Sequence, residues 1–119
     1  MDADMFVKAI EKVVLDSTVK GIQETLDHPP GRAPSKDLLE LSQWYTSLTD
    51  KDKQMITKVI TKASANAVFG FFCVIDGVRV FEDGPEKGDL ELYYKKKNSE
   101  TVLLNSPSGN FLHELMDRY

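Results

Sequence analysis

Apolar residues recur near the start of the chain at three- and four-residue steps. Phe6, Ile10, Val13 and Val14 are followed by Leu15, Val19, Ile22 and Leu26. This spacing predicts one amphipathic helix over about 4–27. Asp2 and Asp4 stand where a helix dipole favours negative charge. Gly21 weakens the helix by about 1 kcal/mol relative to alanine. The stripe is broad, and a bend or break is expected near Asp16-Ser17-Thr18.

The segment His28-Pro29-Pro30-Gly31-Arg32-Ala33-Pro34 interrupts the pattern. Its prolines remove amide donors and force extended backbone, so it reads as a rigid elbow between helices of one domain. Ser35 is a good N-cap for a second helix over about 36–48, with Leu38, Leu41, Tyr45 and Leu48 inward. Thr49-Asp50-Lys51-Asp52 resembles a capping box and opens a third helix over about 50–67. Met55, Ile56, Val59, Ile60, Ala63 and Ala67 line one face of it, and Lys51, Lys53, Lys58 and Lys62 suit solvent.

From Phe69 the rhythm changes. Residues 69–75 are apolar throughout and rich in aromatic and β-branched side chains. Asp76-Gly77 follows, then Val78-Arg79-Val80-Phe81-Glu82. An Asp-Gly pair between two such runs predicts a hairpin of strands 69–75 and 78–82, pairing Ile75 with Val78 and Cys73 with Val80. A competing reading carries the third helix on to Asp76 and ends it at Gly77; the hairpin is preferred. Residues 89–95 alternate as a half-buried strand, Asn98-Ser99 marks a turn, and 101–105 forms a fourth strand. Phe111, Leu112, Leu115, Met116 and Tyr119 predict a last helix over about 109–118. The expected fold is α+β, one domain over 1–119: a helical N-terminal half packed on an antiparallel four-stranded meander, with a C-terminal helix.

The 119 residues carry 15 basic and 19 acidic side chains, a net charge of −4. With a pI near 5.1, the chain lacks the basic footprint of a nucleic-acid binder. One cysteine, Cys73, excludes an intrachain disulfide. The acidic N-terminus is unlike a signal peptide, and no apolar run approaches a membrane span. The expected location is the cytoplasm, with no membrane and no nucleic acid as partner.

Candidate chemistry is sparse. Neither the dinucleotide nor the P-loop glycine pattern is present. His28 and His113 are isolated, and a single cysteine forms no thiolate cluster, so no metal or cofactor is expected. Cys73 with His113, or Ser106 and Ser108 with His113 and Asp117, would be needed for nucleophilic catalysis; a core thiol and a capped turn explain these residues more simply. No catalytic residue is assigned. The acids around the expected hairpin are the most suggestive feature. Asp76, Glu82, Asp83 and Glu86, with Arg79 among them, would form a patch able to steer a basic protein partner. Trp44 and Tyr45 are possible interface aromatics.

Pro29-Pro30-Gly31-Arg32, Leu41-Ser42-Gln43-Trp44-Tyr45, the run Phe69 to Arg79, Leu103-Leu104-Asn105 and Leu112-His113-Glu114-Leu115 together resemble a family of small uncharacterised bacterial proteins. The resemblance implies a bacterial cytosolic origin and carries over no catalytic residue. The expected function is a non-catalytic protein-binding module, for example a toxin-neutralising immunity protein. Two alternatives are a small ligand-binding or enzymatic domain, with Arg79, Tyr93, Glu91 and His113 around a helix/sheet pocket, and a self-associating structural subunit.

Overall fold

The fold was analysed in a computed structural model that describes all residues from Met1 to Tyr119. Asp2 caps the first helix, its carboxylate accepting the Met5 amide at 2.8 Å. The helix runs as α1 (Ala3–Ile10), widens into a π-helical segment (Glu11–Asp16) and resumes as α2 (Ser17–Asp27). The expected break is thus a wider turn just before Ser17, where the Ser17 hydroxyl reaches back to the Lys12 carbonyl at 3.3 Å. Leu15 and Leu26 of the expected stripe are buried, and Phe6 and Ile10 pack against the core. The buried line is Val7, Glu11 and Leu15, whereas Val13 is 61% and Val14 42% exposed.

After the proline elbow, Ser35 caps α3 (Lys36–Thr46) by accepting the Leu38 amide. The buried Ser42 hydroxyl donates to the Leu26 carbonyl at 2.6 Å and pins α3 to the end of α2. Thr49 then caps α4 (Asp50–Ile75). Gln23 bonds Thr57 at one end of the pair, and Phe6 meets Phe72 edge to face at the other. The first helix and α4 therefore run antiparallel.

The four-stranded meander is corrected by α4. Residues 69–75 are its last two turns rather than a strand, and 78–82 form no strand. A wholly apolar run has no period of its own, so tertiary packing decides its conformation. Val68, Phe72 and Ile75 recur at helical steps, and they pack with Val7 and Leu112 in the central core cluster. The Asp-Gly pair ends the helix. Gly77, with φ 76°, takes the left-handed conformation. Its amide bonds the Val74 carbonyl at 3.1 Å, and the Val78 amide bonds that of Cys73 at 3.0 Å. These two bonds are those of a Schellman motif.

Of the sheet, only β1 (Tyr93–Tyr94) and β2 (Val102–Leu103) form, antiparallel, with Tyr93 opposite Leu103 and Tyr94 opposite Val102. Asn98 takes φ 62° at the predicted turn. The predicted last helix shrinks to α5 (Leu112–Leu115), and the chain is extended by Met116. The molecule is helix-dominated with a small hairpin.

Only 12 of 119 residues are buried. The radius of gyration is 18.6 Å, where a compact chain of this length has about 13–14 Å. The accessible surface is 8861 Å², against roughly 6,500 Å² for a compact monomer of this mass.

Candidate functional site

Two surfaces of α4 differ in chemistry. The first is a polar clasp at its C-terminus. The Asp76 side chain is fully buried. Its Oδ1 accepts the Leu112 amide at 3.1 Å, and its Oδ2 accepts the His113 amide at 2.9 Å. The His113 Nδ1 lies 2.7 Å from the same Oδ2, with the imidazole 16% exposed. Phe111 stacks on that ring and Phe69 meets it edge-on. Asp76 thus supplies the acceptor that the first turn of α5 lacks.

Asn105 completes the clasp. Its Nδ2 donates to the Ile75 carbonyl at 2.9 Å and the Leu90 carbonyl at 2.8 Å, and its Oδ1 accepts the Leu92 amide at 2.8 Å. One amide side chain therefore joins the end of α4 to both arms of the hairpin.

A second tie holds the residues after α5. The buried Glu11 Oε1 accepts the Asp117 amide at 2.8 Å and the Tyr119 hydroxyl at 3.1 Å. Lys8 sits 3.1 Å from Glu11 Oε2 and 2.7 Å from Asp117 Oδ1. The contact with Oε2 is a charge pair without hydrogen-bond geometry, since that oxygen has no hydrogen-bond partner. The hydrogen bond to Asp117, and then the close carboxylate of Glu11, push the Lys8 ammonium up to about 12. Burial first, and the bond to Glu11 second, push the Tyr119 phenol up to about 12.

A groove of about 680 Å³ lies beside the clasp, walled by Asn66, Phe69, His113, Glu114, Arg118 and Tyr119 among others. An imidazole oriented by a buried carboxylate can move a proton. The groove wall carries no serine, threonine or cysteine to act as nucleophile. Cys73 is buried within α4. Ser106 and Ser108 bond each other at 3.0 Å, and Asp117 is engaged by Lys8. The triads considered from sequence do not assemble.

The residues expected to form one acidic docking patch separate. Asp76 belongs to the buried clasp. The Arg79 guanidinium lies over Gly70 on α4, so close that an added Cβ would meet it. Glu82 Oε2 accepts the Gly88 amide at 2.9 Å. Asp83 and Glu86 are exposed on the same loop. Trp44 is exposed, whereas Tyr45 is buried under the Lys53 ammonium, 5.4 Å from its ring. Of the residues of the alternative pocket, Tyr93 donates to Glu91 at 2.6 Å, a bond that raises the phenol's pKa, and neither lines the groove at His113.

The second surface is apolar. A groove of about 320 Å³ between α1 and α4 is lined wholly by hydrophobic side chains, among them Phe6, Ile10, Val14, Ala67 and Phe71. The surface continues along α4 through Ala63 to Val59. Phe71 is 63% and Val59 66% exposed. Between Gln54 and Ile75 the only charges are Lys58 and Lys62, four residues apart on one flank. The expectation that no apolar run approaches a membrane span is corrected by α4, which is long and apolar enough to cross a bilayer by length and composition. Core helices of soluble proteins meet the same criterion, and one side of α4 is committed to the core through Val68 and Phe72.

No protein-family model matches the chain, and no curated protein or solved structure is similar to it.

Proposed function

We propose that the protein is a non-catalytic protein-binding module and that it binds through the apolar surface shared by α1 and α4. The observation that carries this reading is the ridge of Val59, Ala63, Ala67 and Phe71 beside an all-hydrophobic groove. Exposed contiguous apolar surface of this kind marks an interaction site. The groove at His113 offers less support for catalysis, because Asp76 and His113 already serve to hold α5 in place. Docking of a basic protein by charge, as in a toxin-neutralising role, is left with Asp83, Glu86 and part of Glu82, since Asp76 is buried.

A photo-crosslinking residue at position 59 in living cells tests the reading, with one at position 86 as comparison. Protein adducts at 59 are expected. Adducts at 86 alone would move the binding surface to the acidic loop, and no protein adduct at either position would sink the reading.

A further inference from the structure

We infer that the occupant of this apolar surface is a second copy of the chain, the two α4 helices crossing at Ala63 and Ala67. The inference rests on the protein-binding reading above and specifies its partner.

Surface area is the first argument. The isolated chain exposes 8861 Å², roughly 2,300 Å² more than a compact monomer of its mass. Obligate dimers bury about 1,000–2,500 Å² on each subunit. The excess therefore matches what one isologous interface removes. Exposed apolar side chains Val14, Met55, Val59 and Phe71 place part of that excess on the α1/α4 side, with the remainder on α2, α3 and the loops, for example Leu41, Trp44, Val80 and Phe81.

Ridge geometry is the second argument. Val59, Ala63, Ala67 and Phe71 are four residues apart, so they form one continuous ridge on α4. Two such ridges interdigitate with the axes crossing at about −50°. Small side chains belong at the crossing point, where the backbones approach, and bulky ones beside it, where the axes diverge. Ala63 and Ala67 stand at the centre, with Val59 and Phe71 at the two ends. A two-fold axis between the alanines sets each ridge against its own copy, as closed symmetry requires. The groove at Phe6, Ile10 and Val14 flanks Phe71 and receives side chains from the partner.

Charge is the third. The ridge side chains are themselves uncharged, with Lys58 and Lys62 on one flank and the Arg79 guanidinium over Gly70, so the ridge offers apolar contact rather than an acidic or basic complement. A helix lying in a membrane surface would instead carry lysine and arginine along its whole polar face. The adjoining face of α4 holds Val68 and Phe72 in the core, where α1 and α5 pack, and the same two side chains form part of the groove lining.

Sedimentation of the full chain over a range of concentrations tests the inference. The expected result is a dimer, weakened roughly thirtyfold or more by Val59→Ser or Phe71→Ser. Val80→Ser, at an equally exposed loop position (68%), leaves association unchanged. Far-UV circular dichroism establishes that each variant is folded. As an independent measurement, Ala63→Cys forms an intermolecular disulfide under oxidation, since the crossing brings the two positions within bridging distance; Cys73 is buried and does not compete. A wild-type monomer at every concentration with no Ala63→Cys cross-link would overturn the homodimer. Adducts from position 59 to a different protein would then leave the protein-binding reading standing. A monomer that co-floats with vesicles of phosphatidylethanolamine and phosphatidylglycerol would assign the face to lipid and overturn both. A dimer indifferent to Val59→Ser and Phe71→Ser would overturn the placement of the interface.

Discussion

The two sides of α4 are finished in opposite ways. At its C-terminus the polar groups are paired: the Gly77 and Val78 amides bond the Val74 and Cys73 carbonyls, Asn105 bonds the Ile75 carbonyl and the Leu90 carbonyl and Leu92 amide of the hairpin arm, and Asp76 takes two amides of α5 and an imidazole. Along its outer ridge there is no polar partner, only Val59, Ala63, Ala67 and Phe71. The difference separates two tasks. Buried polar groups fix a single arrangement, because each lost partner strands another group away from water. Apolar surface is undirected and gains by covering area, so it suits a contact completed from outside the chain.

This contrast is broken most severely at Asp76. Asp76→Ala leaves the Leu112 and His113 amides and the imidazole unpaired, and should lower unfolding free energy by about 3 kcal/mol. Urea unfolding followed by circular dichroism measures it; a loss near zero would mean the clasp is incidental. Asn105→Ala should cost about 2 kcal/mol. In hydrogen exchange, the Leu92 amide should lose protection in this variant while amides in the middle of α4 keep theirs.

The Glu11 tie gives a smaller effect, visible in alkali. Tyr119 and Lys8 both have folded pKa values raised to about 12. A raised value means that the protonated form is favoured by folding. The stabilisation is therefore complete below the unfolded pKa of about 10 and is lost as pH rises through about 12. An ultraviolet pH titration should show the Tyr119 phenol ionising near 12, with Tyr93 also raised by Glu91, and Tyr119→Phe should remove the Tyr119 step while leaving that of Tyr93. The smallest effect is on the ridge. At dilutions where sedimentation shows monomer, Val59→Ser should change stability by no more than about 0.5 kcal/mol. A large loss there would show that Val59 supports the fold rather than a contact.

Helix starts were the most legible part of the fold. Ser35 and Thr49 cap where their chemistry predicts, because a cap is a local hydrogen bond three residues long. The turn at Asn98 was legible for the same reason. Residues 69–75 were not, since Phe71, Phe72, Val74 and Ile75 satisfy a strand and a helix equally. Gly77 did not arbitrate, because a tight hairpin and a Schellman cap both require positive φ at that glycine. Long-range packing of Phe72 on Val7 and Leu112 decided in favour of helix.

The site was less legible than the fold. Asp76 was singled out for its charge, yet its partners lie 36 and 37 residues away and remove it from the surface. Nothing local marks Asn105, whose partners lie on two segments, the end of α4 at Ile75 and the hairpin arm at Leu90 and Leu92. Glu11 did leave a signal: it stands four residues from both Val7 and Leu15, a carboxylate set in the line that proved to be buried. The π-helical turn beginning at Glu11 accompanies the shift of the buried line to Val7, Glu11 and Leu15, which leaves the stripe of Phe6, Ile10 and Val14 facing the outer groove.

The position of Leu112 has a consequence for synthesis. Val7 and Phe72 leave the ribosome well before the residue that seals them, and the nascent helices must wait with their innermost side chains wet. Arrival of Leu112 and its neighbours converts an open helical pair into a closed core. A released fragment ending in the hairpin would present Phe72 to any chaperone that recognises bare aromatic surface.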